Sequence, residues 1–462
     1  MTPYAKEVIM DRLLKYTTPI LTGLLLLITT GCATSPIRTT AIESFDPKAG
    51  YRLENLEPGE DNSDELFVVL TFSGGGTRAA SFAYGVLEVL RDTPILWKGQ
   101  ERRLLDEVDL ISSVSGGSLP STYYGMFGDQ IFEDFTEKVL YQDIQGGIIK
   151  SALSPRMYAS LWSPYYSRTD ILARGFNQNI FDEKTYGDLL AKGTRPFIVV
   201  NATDTDLGRG FMFTQDQFDL IYSDLNQFKL GHAVAASACF PGAFPPIVLK
   251  NHQPGADYVL PDWVAAVENH GRVGGALFRA TREVRSYSEE ERPYIHLMDG
   301  GVADNLGLIP GIRAVRGITA PYEGRHQALA KRIEKMVFIV VNSEQKAHAW
   351  DTTDTPAGLV KQLLFAGTAP MGNFTEAQLE YMQLLMEVSV YRAEKDPSLP
   401  KPDYHFIEVS FDYVPDPEKR RLVNETPTSF RLEVEQVDRL RSAARDILDI
   451  HPEFAELLND LK

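Results

Sequence analysis

Two stretches of the chain share one order of parts: a strand-length apolar run, a glycine turn and a helix. Residues 66–72 form a near-continuous apolar run, which is typical of a parallel strand buried on both faces. Glycines then turn the chain, and apolar residues recur at helical spacing over 79–90. The second stretch repeats the plan with a strand over 108–114 and a helix running toward Met126. A chain built from such units is constrained to an α/β fold.

Further strands are predicted over 196–203, 294–298, 336–342 and 405–411, and further helices over 375–394 and 430–448. Strands that alternate with helices predict a mostly parallel sheet flanked by helices, in a three-layer α/β/α arrangement. With 462 residues, of which 44% are hydrophobic and 24% charged, the chain is long enough to bury a large core.

Charge and cysteine content exclude several classes of protein. The formal net charge of −17 disfavours binding to nucleic acid, because phosphates would be repelled. The two cysteines, Cys32 and Cys239, provide neither a disulfide framework nor a cysteine-based zinc site. Cys239 lies in an alanine-rich stretch and is predicted to be a small buried apolar residue.

The first residues are typical of a targeting segment. Arg12 and Lys15 precede an apolar stretch over 19–28, which is too short to span a bilayer unaided and ends at Cys32. This order resembles a bacterial lipoprotein signal, although translation from Met10 would give a more ordinary start. The resemblance implies removal of residues 1–31, acylation of Cys32 and an envelope protein anchored by lipid. By resemblance to Gram-negative lipoproteins, Ala33 rather than Asp after the cysteine implies the outer membrane, facing the periplasm. A plain signal peptide is the alternative.

Ser115 stands where a strand passes into a helix, followed by Gly116 and Gly117. In a nucleophile elbow the serine occupies a strained turn, and its neighbours must be small so that strand and helix can approach each other. Here Ser113 replaces the glycine that is usual two positions earlier. The alternative is a serine that merely caps the helix.

The turn of Gly74, Gly75 and Gly76 has three interpretations. It can form an oxyanion hole, in which unhindered N–H groups at a helix N-terminus face a developing negative charge. With Ala79 it also fits a dinucleotide fingerprint, G-x-G-x-x-A, but that site needs an acidic residue at the end of the second strand. The nearby acidic residues, such as Asp109, lie before that strand or at its start, which disfavours the dinucleotide site. A simple tight turn is the third possibility.

Asp299 ends another predicted strand and is followed by Gly300 and Gly301. Asp-Gly is a common turn dipeptide, so a simple turn is one interpretation. The other is a general base, since the hydroxyl of a catalytic serine needs a neighbouring group that accepts its proton. An aspartate serves that purpose near neutral pH only if desolvation raises its pKa.

Together these segments resemble the patatin-like phospholipase family, with its G-G-G-x-R/K cradle, its G-x-S-x-G elbow and its D-G-G/A base. Residues 236–246 are similar to the family's A-S-x-A-x-P-x-x-F-x-P segment, and residues 201–208 to its hairpin. The resemblance covers residues 66–308.

The resemblance implies a role for each matching residue, and together with the N-terminal signal pattern and the composition it divides the chain. The matching residues are Ser115 as nucleophile, Asp299 as base, Gly74, Gly75 and Gly76 as oxyanion cradle supported by Arg78, and Gly116, Gly117, Gly300 and Gly301 as elbow and base-turn glycines. The departures, Ser113 and Ala79, are both small. The divisions are a signal peptide (1–31), a polar tether (32–64), a catalytic core (65–315) and a C-terminal α/β extension packing on the core (316–462).

The implied activity is that of a lipid acyl hydrolase of phospholipase or lysophospholipase type, which acts through an acyl-enzyme on membrane phospholipid or another lipid ester. No metal and no cofactor is implied. Residues 204–208 superficially resemble a calcium loop, but they lack the third oxygen ligand and the distal glutamate, so a solvated turn is expected.

Two other functions fit the sequence. One is a Ser-His-Asp esterase, with His326, His348, His405 or His451 as the histidine. The other is an inactive lipid-binding or scaffold lipoprotein. Hydrolase and acyltransferase outcomes, the lipid head group and the oligomeric state stay open. Residues 251–292 are expected to form either a lid or a solvent-exposed loop. Residues 141–176 are expected to form either part of the core or a stretch that contacts the membrane.

Overall fold

The computed structural model of the protein describes residues 36–37, 39–152, 167–253, 258, 284–288, 291–319, 331–345 and 359–462. The strands are β1 (Thr40–Ala41), β2 (Leu66–Phe72), β3 (Pro94–Trp97), β4 (Gln100–Arg103), β5 (Val108–Val114), β6 (Phe197–Asp204), β7 (Arg209–Met212), β8 (Ser223–Asp224), β9 (Ile247–Lys250), β10 (Tyr294–Asp299), β11 (Lys335–Asn342) and β12 (Asp403–Ser410). The helices are α1 (Gly76–Asp92), α2 (Ser118–Phe127), α3 (Ile131–Phe135), α4 (Ile144–Ala152), α5 (Arg168–Asn179), α6 (Tyr186–Lys192), α7 (Gln215–Asp219), α8 (Leu230–Ser237), α9 (Gly301–Asp304), α10 (Ile309–Thr319), α11 (Leu359–Lys395), α12 (Pro417–Asn424), α13 (Val434–Leu448) and α14 (Pro452–Asp460).

The central sheet has eight strands in the order β12-β11-β2-β5-β6-β10-β9, with β7 also paired to β6. The five strands from β12 to β6 are parallel, and every residue of β2 and β5 is buried. Helices pack around this sheet, with α1 against both α13 and β11. The predicted α/β fold, a mostly parallel sheet flanked by helices, is confirmed.

Strand β10 runs antiparallel to both of its neighbours. In such a strand the carboxyl end points away from the edge at which the parallel strands end. The register nevertheless pairs Asp299 with Ala202, while Val114, the last residue of β5, pairs with Asn201. The end of β10 therefore lies level with the end of β5, although the two strands run in opposite directions.

Part of the segment predicted as a polar tether, 32–64, packs against the domain. Ile37 forms a bridge to β9, and the side chain of Tyr51 is buried. Arg52 is also buried and pairs with Asp219 at 2.8 Å. Polar composition predicts a solvated segment, but this segment is held by a few large side chains and one buried ion pair.

Strands β11 and β12 belong to the predicted C-terminal extension, 316–462, yet they join the central sheet beside β2. The extension thus completes the sheet. Helix α11 begins at Leu359, well before the predicted start at residue 375. The β3–β4 hairpin was not predicted from the sequence, because its short alternating pattern is weak.

The prediction of a solvated turn over 204–208 is wrong for its first residue, Asp204. Its carboxylate is buried, pairs with Arg292 at 2.9 Å and accepts a hydrogen bond from Tyr287. Asp206, two residues later, is exposed as expected. Cys239 is buried, as predicted.

Several predictions fall outside the described residues: the signal peptide with Cys32, most of 251–292, and the middle of 141–176. Within the described parts of the chain, no helix combines the length and the hydrophobicity needed to cross a bilayer.

Candidate active site

Ser115 lies in a tight elbow between β5 and α2. Its φ of 50° is in the left-handed region, which is strained for a serine, and its side chain is 6% exposed. The two glycines that follow leave no room for a side chain. A Cβ added at Gly116 would lie 1.9 Å from the carbonyl oxygen of Gly76, and one at Gly117 would lie 2.6 Å from that of Ser73. Close approach of β2, β5 and their helices therefore requires glycine here.

Asp299 lies beside Ser115, as the sequence predicts. The hydroxyl of Ser115 donates a hydrogen bond to Asp299 Oδ2 at 2.9 Å, and Oδ1 accepts the N–H of Gly301 at 2.8 Å. The carboxylate is buried, and burial raises its pKa to about 6 against the lowering effect of these two hydrogen bonds. Asp299 is thus a stronger base than an exposed aspartate.

The turn after Asp299 is fixed by its neighbours. A Cβ added at Gly300 would lie 2.3 Å from the carbonyl oxygen of Asn201, so only glycine fits. The hydroxyl of Thr203 donates to the carbonyl oxygen of Asp299 at 2.8 Å. These contacts with β6 set the orientation of the carboxylate.

The turn of Gly74, Gly75 and Gly76 faces the same site. A Cβ added at Gly74 would lie 3.3 Å from the Cβ of Ser115, so the turn and the elbow touch. Gly75 and Gly76 have φ of 145° and 61°, which suit glycine alone. The N–H of Gly74 donates to the main-chain carbonyl oxygen of Asn305 at 3.0 Å, whereas the N–H groups of Gly75 and Gly76 have no acceptor among the described residues. They lie at the N-terminus of α1, where its dipole favours negative charge.

Arg78 supports this turn from behind. Its side chain is buried, and its Nη2 would lie 2.9 Å from a Cβ added at Gly75. Its Nε donates to the carbonyl oxygen of Ser343 at 3.1 Å. Burial lowers the pKa of Arg78 to about 10, partly offset by Glu344, so the guanidinium stays charged at neutral pH.

Ser113, the departure from the family's elbow pattern, is accommodated without a clash. It is buried, and its hydroxyl accepts a hydrogen bond from Ser121 of α2 at 2.6 Å. A small residue with a polar side chain can therefore replace the usual glycine, because α2 provides its partner.

Three polar residues at the site were not singled out from the sequence. Ser237 accepts the N–H of Ser115 at 2.7 Å and donates to the carbonyl oxygen of Asn201 at 2.6 Å. The side chain of Asn305 lies between the two turns, with its Oδ1 2.8 Å from a Cβ added at Gly74. Ser237 and Asn201 belong to the two family-like segments at 236–246 and 201–208, so that signal could have found them.

Of the four candidate histidines, the two that the structure describes make their contacts with residues other than Ser115 and Asp299. His405 forms a 3.0 Å contact with Glu453, and His451 caps the N-terminus of α14. His326 and His348 are outside the described residues. In the described parts of the chain, no group of three or more histidine, cysteine, aspartate or glutamate residues could hold a metal ion.

Comparison with known proteins gives a family. No curated protein sequence matches significantly. Among solved structures, human GIVD cytosolic phospholipase A2 aligns with 12% identity and a TM-score of 0.43, covering 86% of this chain and 60% of the human enzyme. VipD from Legionella pneumophila aligns with 12% identity and a TM-score of 0.26, covering 83% of this chain and 67% of that protein. The chain thus spans less than two thirds of the human enzyme.

The family model for patatin-like phospholipase matches residues 70–311, just over half of the chain, and the protein therefore belongs to the patatin-like phospholipase family.

Proposed function

We propose that the protein is a lipid acyl hydrolase, a serine esterase of phospholipase or lysophospholipase type, and that Ser115 and Asp299 form its catalytic dyad. Family membership supports the lipid-hydrolase class. The observation that carries the assignment of the dyad is the 2.9 Å hydrogen bond between the two buried side chains. A donor serine on a strained elbow and a desolvated carboxylate acceptor are what a nucleophile and its base require.

In the first step, Ser115 Oγ attacks the carbonyl carbon of the ester while Asp299 Oδ2 accepts the hydroxyl proton. The pKa of Asp299, raised to about 6, keeps the carboxylate mainly ionised at neutral pH and more basic than an exposed aspartate. The second hydrogen bond, from Gly301, prevents the carboxylate from rotating away.

The attack places a negative charge on the former carbonyl oxygen. The N–H groups of Gly75 and Gly76 stabilise this oxyanion, with the charge of Arg78 behind them. The C–O bond to the alcohol then breaks, and the leaving oxygen takes the proton from Asp299. The acyl group stays on Ser115 until a water molecule attacks it and gives a proton to Asp299. Asp299 then returns a proton to the oxygen of Ser115, and the fatty acid is released.

The test is lipid product analysis by mass spectrometry for the wild type, Ser115→Ala and Asp299→Asn, with phospholipid, lysophospholipid and triacylglycerol as substrates. Both variants should lose at least about a thousandfold in turnover. Equal turnover in all three proteins would refute the dyad. Free fatty acid distinguishes hydrolysis from acyl transfer, which leaves the acyl group on a second alcohol.

Two rival functions give different results. Each candidate histidine, including His326 and His348, is replaced in turn. A triad esterase would lose its activity in one of these variants, whereas a dyad enzyme stays active in all of them. An inactive binding protein would leave Ser115 unlabelled by a fluorophosphonate. Labelling of the wild type but not of Ser115→Ala supports the enzyme.

We also propose that acylated Cys32 anchors the protein in the bacterial envelope, at the outer membrane and facing the periplasm. The support is the sequence alone, in which an apolar stretch ends at Cys32. Metabolic labelling with palmitate and fractionation of Cys32→Ala test it. Equal labelling and equal membrane association of the variant would refute the anchor.

A further inference from the structure

A C-terminal segment, residues 424–430, lies against the glycine turn; we call it the strap. It lies well beyond the part of the chain that matches the family, residues 70–311. The carbonyl oxygen of Ser429 accepts the N–H of Thr77 at 2.8 Å, and the backbone of Ser429 forms a parallel bridge with Gly76. A Cβ added at Gly76 would lie 2.5 Å from that carbonyl oxygen. The strap is therefore in direct contact with the turn.

The strap also holds the side chain of Arg78. Nη1 of the guanidinium donates to the hydroxyl of Thr428 at 2.8 Å and to the carbonyl oxygen of Thr426 at 3.2 Å. The strap is itself tied to the end of β11, because the side-chain amide of Gln345 donates to the carbonyl oxygens of Thr426 and Asn424. Arg78 is thus fixed between Ser343, the residue after β11, on one side and the strap on the other.

Such restraint matters because three consecutive glycines have more backbone freedom than any other sequence. An oxyanion hole is effective only when its donors already point at the position of the developing charge. Within the turn itself, the N–H of Gly74 donates to Asn305. The strap supplies restraint at the other end, through the N–H of Thr77 and the side chain of Arg78.

We propose that the strap is a positioning element of the active site, and that Thr428 acts through Arg78 to hold the N–H groups of Gly75 and Gly76 in their productive orientation. This inference rests on the proposed esterase function. Residues outside the part of the chain that matches the family thus contribute to its catalytic efficiency.

The experiment compares Thr428→Val with the wild type, using p-nitrophenyl butyrate as the probe. Valine has nearly the shape of threonine but cannot accept the hydrogen bond from Arg78. We expect kcat to fall about tenfold with KM unchanged, because the oxyanion exists only in the transition state. Thr428→Ser keeps the hydroxyl and should restore most of the loss. Thr205→Val, which changes an exposed threonine of the β6–β7 turn, is the matched control and should behave as the wild type.

Thermal unfolding separates positioning from a structural role. Thr428 is exposed, so its replacement should leave the melting temperature close to that of the wild type. Arg78→Lys should reproduce the loss of kcat, since a lysine keeps the charge but cannot reach three acceptors in different directions. A kcat of Thr428→Val within threefold of an active wild type, or a loss that Thr428→Ser does not restore, would overturn the inference alone. A wild type with no esterase activity and no fluorophosphonate labelling would overturn the proposed function as well.

Discussion

Replacement of Asp299 by asparagine should abolish activity and stabilise the fold at the same time. Burial raises the pKa of Asp299 from 3.8 to about 6, which makes the ionised carboxylate about 3 kcal/mol less favourable in the folded protein than in the unfolded chain. Asparagine has nearly the same shape and carries no charge. Its oxygen can still accept the N–H of Gly301, so the substitution removes the desolvation cost and keeps the turn.

The sign of the effect with pH follows from the raised pKa. Between about pH 4 and pH 6, the folded protein binds this proton more tightly than the unfolded chain, so wild-type stability falls as pH rises through this window. The asparagine variant lacks that fall. Between pH 5 and pH 8, the free energy of unfolding of the wild type should decrease by about 1.4 kcal/mol more than that of Asp299→Asn.

Urea unfolding followed by circular dichroism at the two pH values measures this difference. Asp61→Asn, at an exposed aspartate, is the matched control for the change in net charge; because it keeps Asp299, its free energy of unfolding should decrease between pH 5 and pH 8 as much as that of the wild type. An Asp299→Asn variant that is no more stable than the wild type at pH 8 would refute the desolvated, raised-pKa carboxylate. The proposed base would then lack its physical basis.

Three further outcomes test the geometry of the site. The kcat/KM of the wild type should rise with pH and reach half of its plateau near pH 6, where Asp299 loses its proton, as a pH-rate profile would show. Gly116→Ala should lose activity and melt at a lower temperature, because its Cβ would lie 1.9 Å from the carbonyl oxygen of Gly76. Ser113→Gly should stay active but lose about 1 kcal/mol in urea unfolding, since the 2.6 Å hydrogen bond from Ser121 is lost and only its longer bond to the carbonyl oxygen of Ser118, at 3.2 Å, remains.

The parallel part of the sheet and the tight turns at Ser115 and Asp299 could be predicted from the sequence, because two physical constraints fix the type of side chain there. A strand buried on both faces must be apolar along its whole length, so β2 and β11 are visible as runs. Where such a strand must meet a helix closely, only the smallest residues fit, as at Gly116 and Gly117. Both constraints act on side-chain type at fixed positions, and side-chain type is what a sequence records.

The direction of β10 and the docking of residues 39–64 could not be predicted, since neither depends on a local pattern. An antiparallel strand ending at Asp299 has the same apolar positions as a parallel one. The docked segment owes its position to contacts with partners far along the chain, such as the ion pair of Arg52 with Asp219. A polar composition is compatible with a docked segment as well as with a free one.

The strap is the part of the proposed site that is hardest to predict from the sequence, because main-chain atoms make most of its contacts with the turn. The carbonyl oxygens of Thr426 and Ser429 would be the same with almost any side chain at those positions. Main-chain contacts of this kind depend on the path of the segment and hardly on its composition, so no sequence motif marks it. Thr428 is the exception, since its hydroxyl takes part directly. If Thr428→Val lowers kcat without lowering stability, the proposed oxyanion hole depends on a residue outside the segments that resemble the family's motifs.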